Sequence, residues 1–275
     1  MKRGLILKKV IGIIVLIVLL VNFGSLTSAN AAAFVERADF GKYFAGFTTG
    51  TFVMYDEAND QYIVFNEPQS VKRLSPCSTF KIYNSLAGLE TGVLDQEDVY
   101  TLFKWNRTQY TFPAWNHDQT LASATRDSVV WYFQELASRI GTERMQTYLN
   151  KIEYGNRDIS GGLTTFWLRS SLQISAREQV DLLQKLYSGK LPVSPQNVEI
   201  VKKNITLSEH DDVRLMGKTG SGFQEDKWLL GWFVGCVEKP GNRYFFATNI
   251  QASDGATGGK AREITKLILK DLQVL

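Results

Sequence analysis

Runs of β-branched and aromatic residues at the two ends of the chain predict strands. Near the start, 46–55 and 61–65 flank the turn-prone residues 56–60 and predict a β-hairpin. Three further strand-like runs lie in the last third, with a turn at 240–242 between the final two. These runs are 213–216, 228–237 and 244–250. Both ends of the chain therefore contribute strands.

Between these groups, apolar residues recur at helical spacing. One helix is predicted to begin near residue 76 and stop at Gly92, and a second to run from Asp127 to a break at Gly141. A third, 175–187, opens with a capping box in which Ser175 is the N-cap and a Glu follows three residues later. The middle of the chain is therefore predicted to be mainly helical.

Other segments have weaker patterns. Short helices are predicted over 33–43 and 142–150, and a closing helix over 259–272, whereas 93–125 and 154–171 are irregular. Strands, a helical insert, then strands and a helix predict an α+β fold. We expect a central antiparallel sheet built from both chain ends, flanked by helices, with a helical lobe inserted between its halves.

Residues 1–31 have the composition of a secretory signal. A basic start precedes an apolar run over 10–21 and an A-x-A cleavage pattern at 29–31. The apolar run is shorter than the roughly 20 residues that a membrane-spanning helix needs. We expect cleavage after Ala31 and a single exported domain over 32–275; an uncleaved membrane anchor is the alternative.

Charge argues against a nucleic-acid partner. The chain has 275 residues and a formal net charge of +3, but four basic residues of the leader supply the excess: Lys2, Arg3, Lys8 and Lys9. Without them, 27 basic residues face 28 acidic ones. A nearly neutral body has no electrostatic footprint for a polyanion.

Cysteine and histidine are scarce. His117 and His210 are the two histidines and lie in no metal-binding or Ser-His-Asp motif, so we expect no metal site. Cys77 lies in the first predicted helix and Cys236 ends an apolar run. Two buried thiols or one disulfide are both compatible with export.

The strongest candidate for chemistry is Ser-x-x-Lys in the first helix. Ser78 and Lys81 stand three residues apart, so a helix places the hydroxyl and the amine on one face. A serine hydroxyl needs a base to become a nucleophile, and a lysine that has lost its charge through burial can serve. In most proteins such a pair is merely a polar helix face.

Four later motifs change that assessment, although each has an ordinary structural interpretation. They are Ser128-x-Val130, Tyr154-Gly155-Asn156, Phe166-Trp167-Leu168 and Lys218-Thr219-Gly220-Ser221. Alone they suggest a helix cap, a turn, core residues and a surface turn. In Lys218-Thr219, however, an amine and a hydroxyl at a strand end can hold a carboxylate, and Gly220 allows a close approach.

In this order the motifs resemble those of the class D serine β-lactamases. The related class A enzymes have Ser-Asp-Asn in second place, where this chain has Ser-x-Val. The resemblance extends through residues 154–162, 166–168 and 172–175, and covers about 36–272. It implies that 32–275 form a class D catalytic domain with a β-lactam as its small-molecule partner, as a monomer or weak dimer.

The resemblance also implies a role for each residue. Ser78 is the acylated nucleophile, Lys81 carries a carbamate formed with carbon dioxide and acts as general base, and Ser128 relays a proton to the leaving nitrogen. No other cofactor is implied. The implied carboxylate site is Lys218, Thr219 and Arg262; the implied oxyanion donors are the backbone N–H groups of Ser78 and Ser221; the implied lysine pocket is Val130, Phe133, Trp167 and Leu168, with Trp167 bonded to the modified lysine.

Two other functions use nearly the same motifs. A penicillin sensor acylates and stays acylated, and a D,D-peptidase acts on cell-wall peptides. The sequence also departs from the commonest class D pattern, since Cys77 precedes the nucleophile and the bulky Trp131 and Tyr132 follow Val130. These departures leave the substrate range open.

Overall fold

The computed structural model describes residues 32–95 and 102–275. The predicted signal segment, 1–31, lies outside the described residues. Within the described ranges, every helix is too short or too polar to cross a membrane. Residues 32–275 form one compact unit.

The described strands form a single seven-stranded sheet with the order β1-β3-β2-β7-β6-β5-β4. The strands are β1 (Ala33–Glu36), β2 (Thr49–Asp56), β3 (Gln61–Phe65), β4 (Thr206–His210), β5 (Val213–Gln224), β6 (Lys227–Lys239) and β7 (Asn242–Gln251). β1 is parallel to β3, and the other five neighbouring pairs are antiparallel. β2 pairs with β7 along its whole length, which joins the two chain ends as predicted.

Helices cover the sheet and form the inserted lobe. The α-helices are α1 (Glu67–Ser70), α2 (Lys81–Glu90), α3 (Leu121–Arg126), α4 (Val130–Ile140), α5 (Thr142–Ile152), α6 (Ala176–Tyr187), α7 (Pro195–Asn204) and α8 (Gly258–Asp271). Three short 3-10 helices span Ala38–Phe44, Cys77–Phe80 and Pro113–Trp115. The capping box of α6 is present.

Side chains of β6 point alternately to the two faces of the sheet and pack into two separate hydrophobic cores. Trp232 and Val234 pack with the helical lobe, while Phe233 and Val237 pack with α8 on the opposite face. A strand exposes successive side chains to opposite sides, so a continuous apolar run is buried on both. The predicted α+β architecture is therefore confirmed, with one parallel edge pair added.

Some local predictions were wrong. Residues 33–43 are not one helix: β1 comes first, and the 3-10 helix Ala38–Phe44 follows. The β1 backbone pairs with β3 at the sheet edge, a partner that local spacing does not reveal. Elements α3, α7 and β4 were not predicted, and α4 begins at Val130 rather than Asp127.

The Lys-Thr-Gly-Ser motif also lies differently from the prediction. Residues 218–221 are inside β5, not at the end of a shorter strand, because β6 pairs with β5 as far as Gln224. Cys77 and Cys236 are both buried and free, so the two-thiol interpretation describes the structure.

Candidate active site

Ser78 and Lys81 are joined by a tight helical turn. Ser78 lies in the 3-10 helix Cys77–Phe80, which runs directly into α2, and the Lys81 N–H donates to the Ser78 carbonyl. Side chains three residues apart eclipse one another in a 3-10 helix. The turn therefore places the Ser78 hydroxyl and the Lys81 amine on one face, as the sequence predicts.

The Lys81 side chain is completely buried. Its Nζ donates to the Ser128 carbonyl oxygen and to Ser128 Oγ, the latter at 3.0 Å. The Phe133 ring centroid is 5.2 Å from Nζ. Loss of water is the main cause that lowers the Lys81 pKa well below 10.5, and the nearby charge of Lys218 lowers it further. The uncharged amine is therefore favoured.

Ser128 connects the two lysines of the site. It precedes α4 with a positive φ of 55°, an uncommon conformation that turns the chain into the helix. Its Oγ also accepts a hydrogen bond from Lys218 Nζ at 3.0 Å. Lys218 is only 5% exposed, and burial lowers its pKa from 10.5 to about 8. Two charged ammonium groups on one oxygen would repel, so this arrangement favours a neutral Lys81.

Strand β5 lies against the nucleophile turn because residue 220 is glycine. A Cβ at Gly220 would be 2.8 Å from the Pro76 carbonyl oxygen and 3.2 Å from the Thr79 nitrogen. On the other side, the N–H of Gly258 donates to Ser221 Oγ at 2.9 Å. Residues 218–221 are thus held between the nucleophile turn and the start of α8.

Aromatic packing closes the site around the lysine. Trp167 is completely buried, and its ring centroid is 5.7 Å from that of Phe80. Ser75 Oγ donates to the Trp167 carbonyl at 2.9 Å, which ties this loop to the nucleophile segment. Trp167 Nε1 is buried with no hydrogen-bond partner among the described residues. A buried donor without a partner is costly to the folded state.

The tyrosine motif supports this packing from behind. Tyr154 is buried with its ring edge against Phe80, at 5.3 Å between centroids. Gly155 has a φ of 47°, and a Cβ there would collide with the Gln173 carbonyl oxygen. Asn156 Nδ2 donates to the Ser171 carbonyl at 2.8 Å. The motif therefore positions the Trp167 loop rather than contacting the nucleophile.

Comparisons with known proteins agree with this geometry. The penicillin binding protein transpeptidase domain family matches residues 50–270. The probable β-lactamase YbxI of Bacillus subtilis is 43% identical over 81% of this chain and 80% of its own length. The solved structure of the class D β-lactamase BAT-2 is 39% identical, with a TM-score of 0.80 over 86% of this chain and 96% of that one.

This chain belongs to the class D β-lactamase family. This chain is also similar to two receptor proteins. The methicillin resistance MecR1 protein of Staphylococcus aureus is 40% identical over 85% of this chain, but the chain spans only 39% of that protein's length. The C-terminal domain of the Bacillus licheniformis BlaR penicillin-receptor is 36% identical, with a TM-score of 0.83 over 89% of this chain and 98% of that one.

The class D site opens into a cavity of about 400 Å³. Ser78, Ser128, Thr219 and Ser221 line it on the polar side, and Val130 and Leu168 of the predicted lysine pocket also reach it. Two aromatic pairs stand at its walls. They are Phe112 with Trp115, 5.1 Å between centroids, and Phe223 with Trp228, 4.7 Å.

Sequence reasoning missed these aromatic walls. The pattern of 93–125 predicts only an irregular segment, and Phe223 and Trp228 pair across the β5–β6 register and carry no local signal. Six predicted site residues are not part of this cavity wall: Lys81, Phe133, Trp167, Lys218, Gly220 and Arg262. Of these, Arg262 is the one that lies at the surface. It is exposed on α8 and lines an adjoining cavity, whose wall includes Lys218 and Thr219.

The departures from the usual class D pattern have structural explanations. Cys77 is buried at a positive φ of 49°, and burial raises the pKa of its thiol to about 11, so it is an inert packing residue. Trp131 Nε1 donates to the Trp115 carbonyl at 2.9 Å and thus braces one cavity wall. Tyr132 is buried and stacks on Phe103, with centroids 4.4 Å apart.

Proposed function

We propose that this protein hydrolyses the β-lactam amide of penicillins through an acyl-enzyme on Ser78. One observation carries the proposal: a fully buried Lys81 amine and the Lys218 amine meet on Ser128 Oγ beside the cavity that Ser78 lines. A neutral base, a proton relay and a cation are thus close to the nucleophile.

The acylation step follows from these positions. The base at position 81 takes the Ser78 proton, Ser78 Oγ bonds to the lactam carbonyl carbon, and the C–N bond breaks. Ser128 Oγ passes a proton to the leaving nitrogen and is recharged from the lysine side. The backbone N–H groups of Ser78 and Ser221 are the proposed oxyanion donors; such a donor typically contributes roughly 10²–10³ in rate.

We further propose that Lys81 is carboxylated by carbon dioxide. Its unprotonated amine can bond to the carbon of CO₂ with loss of one proton, and burial keeps it unprotonated. The unpartnered Trp167 Nε1 fits as a donor to the added carboxylate. When present, the carbamate supplies an anionic base able to activate the water that releases the acyl group. Val130, Phe133 and Leu168 would keep bulk water from that base.

Recognition of the ring carboxylate is assigned to Lys218 and Thr219. Lys218 is protonated below a pKa of about 8, and Thr219 lines the cavity beside it. Gly220 lets this strand lie against the nucleophile turn. Arg262 contributes through the adjoining cavity, as a longer-range cation.

The proposal also includes cleavage of the segment 1–31 and export of 32–275.

A turnover assay on purified residues 32–275 tests the function. We expect many cycles of penicillin or chromogenic cephalosporin hydrolysis per protein molecule. A stoichiometric burst without turnover would support the sensor function, for which the structural likeness to the BlaR domain is the specific observation. Release of D-alanine from a cell-wall peptide without β-lactam turnover would support a D,D-peptidase.

Two variants test the lysine chemistry. Lys81→Ala should slow acylation and stop deacylation, because the same base serves both steps, so any acyl-enzyme that forms should persist and be detected by mass spectrometry. Trp167→Phe removes the unpartnered donor while keeping most of the packing volume. It should raise the bicarbonate concentration needed for half-maximal activity. Activity that is independent of bicarbonate in both the parent and Trp167→Phe would refute the carbamate but leave the acyl-enzyme intact.

A further inference from the structure

Arg169 is a cation at the cavity that neither the family motifs nor the mechanism uses. It directly follows the Phe-Trp-Leu motif, has a positive φ of 52°, and lines the cavity that Ser78 lines. Its N–H donates at 2.8 Å to Ser75 Oγ, the same hydroxyl that donates to the Trp167 carbonyl. The backbone of Arg169 is therefore fixed to the nucleophile segment.

The side chain is also held in place. A Cβ on Gly222 would lie 2.9 Å from Arg169 Cδ, so the aliphatic stem of the arginine occupies the space that this glycine leaves on β5. Arg169 Nε donates to Gln224 Oε1 at 3.1 Å. The guanidinium is thus positioned along β5, and most of its donors remain available for a ligand.

The charge of Arg169 is not neutralised by the protein. Asp127, the other charged residue in the cavity wall, is held by Arg126 at 2.7 Å. In the part of the chain that the structure describes, no carboxylate forms an ion pair with Arg169; its side-chain partner is the neutral amide of Gln224. The cavity therefore has one uncompensated cation away from the lysines.

Distance along β5 separates Arg169 from the proposed carboxylate site. Gly222 is three residues beyond Thr219 along β5, which corresponds to about 10 Å. In a penicillin the ring carboxylate and the acyl side chain leave opposite ends of the bicyclic nucleus. With the ring carboxylate at Lys218 and Thr219, the acyl side chain extends along β5 towards Arg169 and the Phe223–Trp228 pair.

From this placement we infer that Arg169 determines specificity for penicillins whose acyl side chain carries both an aromatic ring and a carboxylate. The inference rests on the proposed function. Arginine binds a carboxylate through two parallel hydrogen bonds, and an adjacent aromatic wall accepts the ring. Arg169 acts on substrate recognition and takes no part in bond making or breaking.

The test compares two penicillins that share a phenyl group on the acyl side chain: a phenylacetyl penicillin and its counterpart with a carboxylate on the α-carbon. Arg169→Gln should lower kcat/KM for the carboxylate substrate roughly tenfold, through KM, the scale of one charge-assisted hydrogen bond. For the phenylacetyl substrate the change should stay within about twofold. Arg169→Lys should be intermediate, because it keeps the charge without the fork.

Lys190→Gln is the matched control. Lys190 is exposed and is not part of the cavity wall, so its removal changes the net charge equally. It should leave both substrates unaffected. Equal losses for both substrates with Arg169→Gln would mean that Arg169 only supports the loop, and unchanged kinetics would mean that it does not contact the side chain. Either result overturns the inference.

The two proposals fail separately. If the parent protein acylates but does not turn over, the second-order acylation rate constants of the same variants replace kcat/KM, and the same ratio decides about Arg169. If the parent turns over the phenylacetyl substrate while Arg169→Gln does not change the substrate preference, the hydrolase function stands and the specificity role is refuted.

Discussion

Gly220→Ala should damage the nucleophile turn, although the substitution adds only one methyl group. That methyl would lie 2.8 Å from the Pro76 carbonyl oxygen and 3.2 Å from the Thr79 nitrogen, both backbone atoms. Carbon contacts are normally about 3.5–4.0 Å, so roughly half an ångström of movement is needed. β5 cannot retreat easily, because Gly258 already approaches the Gly220 carbonyl from the α8 side.

The size of the loss in acylation rate depends on whether β5 or the turn of Ser78 moves. If the turn of Ser78 is displaced by roughly half an ångström, acylation should slow about tenfold or more, since 1 Å of misplacement can cost about 10²-fold. Overpacking of this kind should also lower the free energy of unfolding by about 1–3 kcal/mol. The assays are stopped-flow acylation with a chromogenic cephalosporin and denaturant unfolding.

Gly259→Ala is the matched control. A Cβ there meets only Thr257 Oγ1, at 3.6 Å, in the first turn of α8. It should keep the parent acylation rate and match or exceed its stability, because Ala favours helix. If Gly220→Ala acylates at the parent rate with unchanged stability, the contact between β5 and the nucleophile turn does not position Ser78, and the reasoning fails.

Two further predictions concern stability. Burial lowers the Lys218 pKa to about 8 from 10.5, so between these pH values the unfolded chain holds a proton that the folded one lacks, and stability rises with pH. Lys218→Met should therefore be more stable than the parent near pH 7 by up to roughly 3 kcal/mol, and the difference should vanish near pH 10.5; a pH-independent difference in urea unfolding would contradict this. Ser175→Ala removes the hydroxyl that accepts from the Glu178 N–H at 3.2 Å and should lower the free energy of unfolding by about 1 kcal/mol. Gln184→Ala, at a half-buried position in the last turn of the same helix, is its control, and equal effects of the two variants would rule out a capping contribution.

The local sequence pattern was sufficient to predict the elements whose stabilising contacts are made between residues close in sequence. The β2–β3 hairpin, the capping box of α6 and the break at Gly141 all depend on residues within a few positions of one another. The Ser78–Lys81 pair belongs to this group, because one helical turn suffices to align residues three apart. Motif order along the chain then predicted the family, which the comparisons confirm.

Only the tertiary structure decided the elements and properties that depend on distant partners. β1 is a strand because β3 offers it a parallel edge, and residues 218–221 lie inside β5 because β6 continues beside them. A pKa depends on water and charge around the group, not on its neighbours in sequence. Lys81 loses its water through Ser128 and Phe133, about fifty residues away along the chain, and this burial determines its chemistry.

The same distinction applies to the cavity. Sequence motifs gave the candidate catalytic residues, since those residues form short motifs in a fixed order along the chain. Its walls are formed by side chains from separate loops and strands, and Arg169 meets Gly222 and Gln224 only after folding. The spacing of residues in the sequence predicts contacts within a turn or a hairpin. A binding cavity is formed where segments that are distant in sequence pack together. For that reason the family and fold class of this protein could be predicted from its sequence, and the shape of its binding site could not.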